Sequence, residues 1–196
     1  MTAAVAARAS VGAINLTLTP ADVDRALTIA RASDAERARF HAPYISSSSN
    51  PIVERVEIVT ELRRLVLVAE DHIRRGDRMF AYSVRLAQDG VSPWKGRVSV
   101  VARLRFHPQN TYIGLPSVDV TLDGPRADAA RIGVLKDPVL SLGTTAPEAG
   151  NRQPILGAIV EGVFDAAMIG QTARNLTITI DGRETTVIRL DFAAVE

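Results

Sequence analysis

Near the C-terminus two alternating apolar runs, Leu176-Thr-Ile-Thr-Ile180 and Thr185-Thr-Val-Ile-Arg-Leu-Asp-Phe192, flank Asp181-Gly182. No other stretch restricts the chain as tightly. Successive strand side chains point to opposite faces, so Leu176, Ile178 and Ile180 share one face, and Ile188, Leu190 and Phe192 share one on the return strand. Asp-Gly between such runs is a strong hairpin signal. Parity then selects the register. A two-residue loop pairs Ile180 with Arg183 and sets even positions opposite odd ones, which separates the two apolar rows. A three-residue loop, with Gly182 left-handed as a G1 bulge, keeps even opposite even and unites them. The sequence therefore predicts a hairpin bulged at its loop.

A β ribbon needs a core to lie on, and 196 residues with 46% apolar content can supply one. The charge balance excludes more than it suggests. With 23 basic and 22 acidic residues the net charge is +1, so no overall field draws the chain to nucleic acid or anionic lipid. Aromatics are 5% of residues and do not interleave with the basic positions, so no nucleic acid partner is expected. The absence of cysteine removes disulfides, thiol nucleophiles and thiolate metal sites together. No run approaches the ~20 apolar residues of a membrane span, so a soluble protein is expected. The first ten residues are alanine-rich but lack a basic region before a hydrophobic run, so they do not form a complete signal peptide.

Residues 1–18 read as a loose arm, or as a short edge strand over Ala13 to Leu18. Helix-start signals coincide at Thr19-Pro20-Ala-Asp22, and Val23, Leu27 and Ala30 then form a face. Ser33 to Glu36 repeats the capping-box pattern, extending helix to about Phe40. His41 to Ser49 reads as loop on composition. Val59, Leu62, Val66, Ala69 and Ile73 recur with helical period, so 60–75 is helix, with Glu61, Arg63, Arg64, Glu70 and Asp71 mainly outside and Gly76 as terminator. The β-branched stretch 52–59 fits strand or helix, and the Asn50-Pro51 start favours helix. The same ambiguity over 78–88 is also assigned to helix, on the spacing of Phe80, Val84, Ala87 and Val91.

Beyond Gly96 short alternating runs take over. Val98, Val100, Ala102, Leu104 and Phe106 alternate with Arg97, Ser99, Val101, Arg103 and Arg105 in a half-buried strand. Further strands are expected at 118–122, 131–135, 139–142 and 155–164, ahead of the hairpin. The fold class expected is α+β: an N-terminal helical segment, 19–92, packed against an antiparallel β-sandwich over 96–196, as one domain or two.

Chemistry-bearing residues are sparse. His41, His72 and His107 are the entire imidazole supply, and their spacing matches no metal motif, so neither a metal site nor a cofactor is expected. Gly-x-Ser-x-Gly and phosphate-binding glycine loops are absent. Glu161 and Asp165 lie four apart on one run, about 13 Å along an ideal strand, beyond the separations of glycosidase carboxylate pairs. The row Arg97, Arg103 and Arg105 shares one strand face and is the candidate site for an anionic ligand, unless a neighbouring strand supplies acids such as Asp119. Trp94, in a Pro-Trp-Lys-Gly loop, is added to that candidate set as a sugar-stacking group; alternatively it caps the core between helices and sandwich.

The reading with most support is a non-catalytic binding or structural module with a protein partner or a homo-oligomeric state. A periplasmic or secreted bacterial setting is the favoured location, by association with the sandwich and the alanine-rich start. The alternatives are a hydrolase between helices and sandwich using His72 or His107, and anion binding through the arginine row.

Overall fold

A computed structural model describes residues 18–77, 79–106, 116–124, 127, 129–136 and 155–196. It shows helices together with two antiparallel sheets, an α+β protein. The expectations for strands at 13–17 and 139–142, and for His107, lie outside the described residues.

The helices begin where capping chemistry places them. Helix α1 (Pro20–Ala30) and helix α2 (Asp34–His41) each start with a reciprocal capping box, Thr19 with Asp22 and Ser33 with Glu36. In α3 (Glu61–Arg74), Thr60 caps by accepting from the Arg63 amide, and the chain turns at Gly76 with φ +85°. A 3-10 turn at Phe80–Tyr82 leads into α4 (Val84–Val91). The helical assignment of 78–88 therefore holds for its described part, in two pieces. Val23, Ala26, Leu27 and Ala30 of α1 pack with Leu62, Leu65, Val66 and Ala69 of α3 and with Phe80, Ala87 and Val91 to form a helical core.

Two strands interrupt this helical stretch. Strand β1 (Ile45–Ser47) lies in the segment expected to be loop, and β2 (Val53–Val59) occupies the segment assigned to helix. The physical reason lies at Asn50. Its side-chain carbonyl accepts from the amides of Ile52 and Val53, so it closes a local turn and does not start a helix. The β-branched residues Val53, Val56 and Ile58 then face the sheet core. Residues 19–92 are thus not wholly helical, and the larger sheet is not confined to residues after 96.

That sheet has the order β1-β2-β3-β6-β5, with β3 at Arg97–Arg105, β5 at Ala129–Lys136 and β6 at Ile155–Asp165. All pairings are antiparallel. The second sheet, β4-β7-β8, uses Val118–Leu122, Ala173–Ile180 and Arg183–Asp191. Both sheets contribute to one core: Val56, Val98, Val100, Ala102 and Val160 from the first, and Val120, Leu176, Ile178, Leu190 and Phe192 from the second. At Gly162, on β6, Val120 of the second sheet and the nearby Ala127 come close to the backbone. A Cβ built there would meet Val120 Cγ1 at 3.2 Å and Ala127 Cβ at 3.1 Å.

The C-terminal hairpin unites its apolar rows as parity demands, but by a different device. Ile180 pairs directly with Arg183 across a two-residue turn, with Asp181 and Gly182 at φ 48° and 73°. Those paired positive φ values belong to the hairpin turn that suits Asp-Gly. The register then shifts between Ile178 and Thr179, so Thr186 and Ile188 pair with Ile178 and Leu176. The bulge sits in the ladder, not at the loop.

Candidate functional site

The densest polar constellation lies where α2 and α3 meet β2. Arg63, expected on the outside of α3, has 2% of its surface exposed. It sits next to Leu62 on a helix whose apolar face serves the helical core, so its long side chain turns instead toward the sheet. One guanidinium nitrogen donates to the Ile58 carbonyl at 2.6 Å and another to the Glu57 carboxylate at 2.6 Å. Its Nε donates to His41 Nδ1 at 3.3 Å, and the guanidinium lies 5.2 Å from the Tyr44 ring centroid. Burial pulls the Arg63 pKa down, and the bond and charge of Glu57 oppose that pull. Burial likewise raises Tyr44.

The chain of charges extends both ways. Glu57 also pairs with Arg55 at 2.8 Å. The other nitrogen of His41, Nε2, lies 3.1 Å from Glu70, which is 3.8 Å from Arg37. Positive and negative groups therefore alternate from Arg55 through Glu57 and Arg63, then through His41 to Glu70 and Arg37. Because Nδ1 accepts from arginine, the His41 proton sits on Nε2 and points at Glu70. Both imidazole nitrogens are occupied.

A second lock stands beside it. Arg64 donates to Ser99 Oγ at 2.6 Å and to Glu161 at 2.8 Å, and its guanidinium lies 3.6 Å from the centre of the Trp94 ring. Trp94, half-buried, is thus engaged by Arg64 at the junction of α3 and β3. Glu161 is spent on this lock, while Asp165 accepts from the Ala167 amide and caps the short helix α5 (Ala166–Ile169). The two carboxylates serve different elements.

In the arginine row, Arg103 and Arg105 both reach one carboxylate, each at 3.2 Å, and it is Glu54 on β2, not Asp119. Arg97 stands at the far end of β3, in register with Asp165. The structure does not bring the three arginines together. His72 Nδ1 lies 2.9 Å from Asp77, and its ring stacks on Phe80 at 4.1 Å. Both contacts belong to the helical layer, away from the sheets. Among the described residues neither imidazole is hydrogen-bonded to a serine or threonine hydroxyl, and no group of three metal-ligating side chains converges.

Reading the sequence missed Arg63 and Glu57. The available signal was the i, i+6 spacing of opposite charges across Thr60, which joins a strand end to the helix that folds back on it.

The fold and these junctions define an α+β protein with two antiparallel sheets and a helical layer held to the larger one by buried charge. Compared with family models, curated proteins and solved structures, the chain matches none of them. No helix among the described residues is long and apolar enough to cross a membrane.

Proposed function

We propose that the chain is a non-catalytic module that acts by assembling with a second copy of itself. The observation that carries this reading is an exposed apolar trio on one short segment: Met79, Tyr82 and Leu86 are 74%, 69% and 46% exposed. They flank the 3-10 turn and the start of α4, whose buried residues Ala87 and Val91 face the helical core. Arg31 lies over the Tyr82 ring at 4.5 Å, which supplies a cation beside the apolar surface. Exposed aromatic, Met and Arg side chains grouped together have the composition of interface centres.

The charge chemistry supports the same reading. At the helix–sheet junction acids, bases and an imidazole are bonded to one another, so their free energy goes into holding elements together. Arg103 and Arg105 share Glu54, which lowers the positive charge available to an anion. The test is solution mass by light scattering over a concentration series, for the wild type and for a Tyr82→Asp, Leu86→Asp double variant. The expected result is a wild-type mass that rises with concentration and a double variant that stays monomeric. Equal masses for the two proteins at every concentration would overturn the role of this face.

A further inference from the structure

A cavity of about 250 Å³ opens between α1, the start of α3 and the end of α4. Its apolar wall is Leu18, Val23 and Val91, and its polar wall includes Glu61, Asp89 and Lys95. Glu61 is the unusual member. Only 8% of its surface is exposed, yet its one hydrogen bond among the described residues is a long one, from the Gly96 amide at 3.4 Å. A carboxylate has about four acceptor positions, and here most are unused. No cation stands within ion-pair distance of it among the described residues, and Lys95 acts on it only from farther off. Burial consequently pushes the Glu61 carboxyl up.

We propose that this cavity binds a small primary ammonium compound, its cationic head on Glu61 and its hydrocarbon body against Leu18, Val23 and Val91. The volume corresponds to roughly eight waters at ~30 Å³ each, enough for a ring or short chain of about seven non-hydrogen atoms. Asp89 at the rim is already faced by Arg85 at 3.9 Å and Lys95 adds one more positive charge, so the partner for a cation is the Glu61 carboxylate itself. This site is separate from the exposed trio and stands or falls independently of the assembly reading.

The probe is cyclohexylammonium, with cyclohexanol and cyclohexanecarboxylate as neutral and anionic counterparts of similar shape. Binding is followed through amide chemical shifts of uniformly labelled protein, with Glu61→Gln, Asp89→Asn and Lys95→Met variants. The expected result is saturable binding of the ammonium compound in the millimolar range or tighter, with shifts centred on Glu61, Val91 and Gly96. Glu61→Gln, nearly isosteric, should weaken it about thirty-fold or more, as loss of a buried charge partner does. Asp89→Asn should weaken it less, and Lys95→Met should strengthen it by removing like-charge repulsion. Four results would overturn the proposal: no saturable binding of cyclohexylammonium up to the millimolar range, cyclohexanol binding as well as the amine, Glu61→Gln binding unchanged in a protein with wild-type amide dispersion, or weaker binding in Lys95→Met.

Discussion

Replacing Arg63 by Met keeps most of its apolar stem and removes the guanidinium. Three groups then lose a donor: the Ile58 carbonyl, the Glu57 carboxylate and His41 Nδ1. Breaking a buried ion pair by removing one partner typically costs about 3–5 kcal/mol. Glu57 keeps Arg55 at 2.8 Å and is partly solvated, so the expected loss is at the low end, about 3 kcal/mol. Against a typical total stability of roughly 5–15 kcal/mol this is a large fraction. The assay is urea unfolding followed by the fluorescence of Trp94, the chain's one tryptophan, which sits at the same junction. Arg55→Met is the comparison, because that half-exposed pair should contribute about 1 kcal/mol or less. A Glu57→Leu, Arg63→Met double variant should recover part of the loss, since the only charge left without its partner is the half-exposed Arg55, which water solvates. If Arg63→Met costs no more than Arg55→Met, the buried arginine is not what holds α3 to β2.

Two further outcomes follow from the same contacts. Gly162→Val should destabilise by about 1–3 kcal/mol, because its Cβ alone already meets Val120 and Ala127 across the core; a neutral effect on the thermal midpoint would show the sheets less closely packed at this point. For Glu61, whose folded pKa is raised above the ordinary 4.5, the stabilising contribution is fully present below 4.5 and lost as pH rises through the folded value. Glu61→Gln lacks that component, so its urea midpoint should gain on the wild type between acid and neutral pH; a gap that is constant, or that moves the other way, would contradict the burial of this carboxyl.

What could be read along the chain was governed by short-range physics. Thr19, Ser33 and the alternation from Val98 to Phe106 declare themselves because a cap or a pleat is settled within a few residues. The hairpin shows the limit of that reasoning. Parity demanded one extra residue, but parity does not say where along β8 the bulge falls. Segment 52–59 reads as helix because Asn50-Pro51 serves turns and helix starts alike, whereas the partners that make it a strand lie on β1 and on β3, which is about forty residues away. Polar patterning puts Arg63 on the outside because it treats a guanidinium as solvated. Only the three-dimensional neighbours Ile58, Glu57 and His41 make its burial tolerable. Glu54 escaped notice for the same reason: its arginine partners are remote in sequence.

A charged junction that is purely structural requires its imidazole to be bonded on both sides. Two-bond nitrogen–proton correlation spectra of the His41 ring, recorded in mildly alkaline buffer, test this directly. The expected pattern is the Nε2–H tautomer, with Nδ1 shifted as a hydrogen-bond acceptor and a return to free-imidazole shifts in the Arg63→Met variant. An Nδ1–H tautomer, or a wild-type ring averaging freely between tautomers, would mean that His41 is not held between Arg63 and Glu70 and that the junction is open to chemistry.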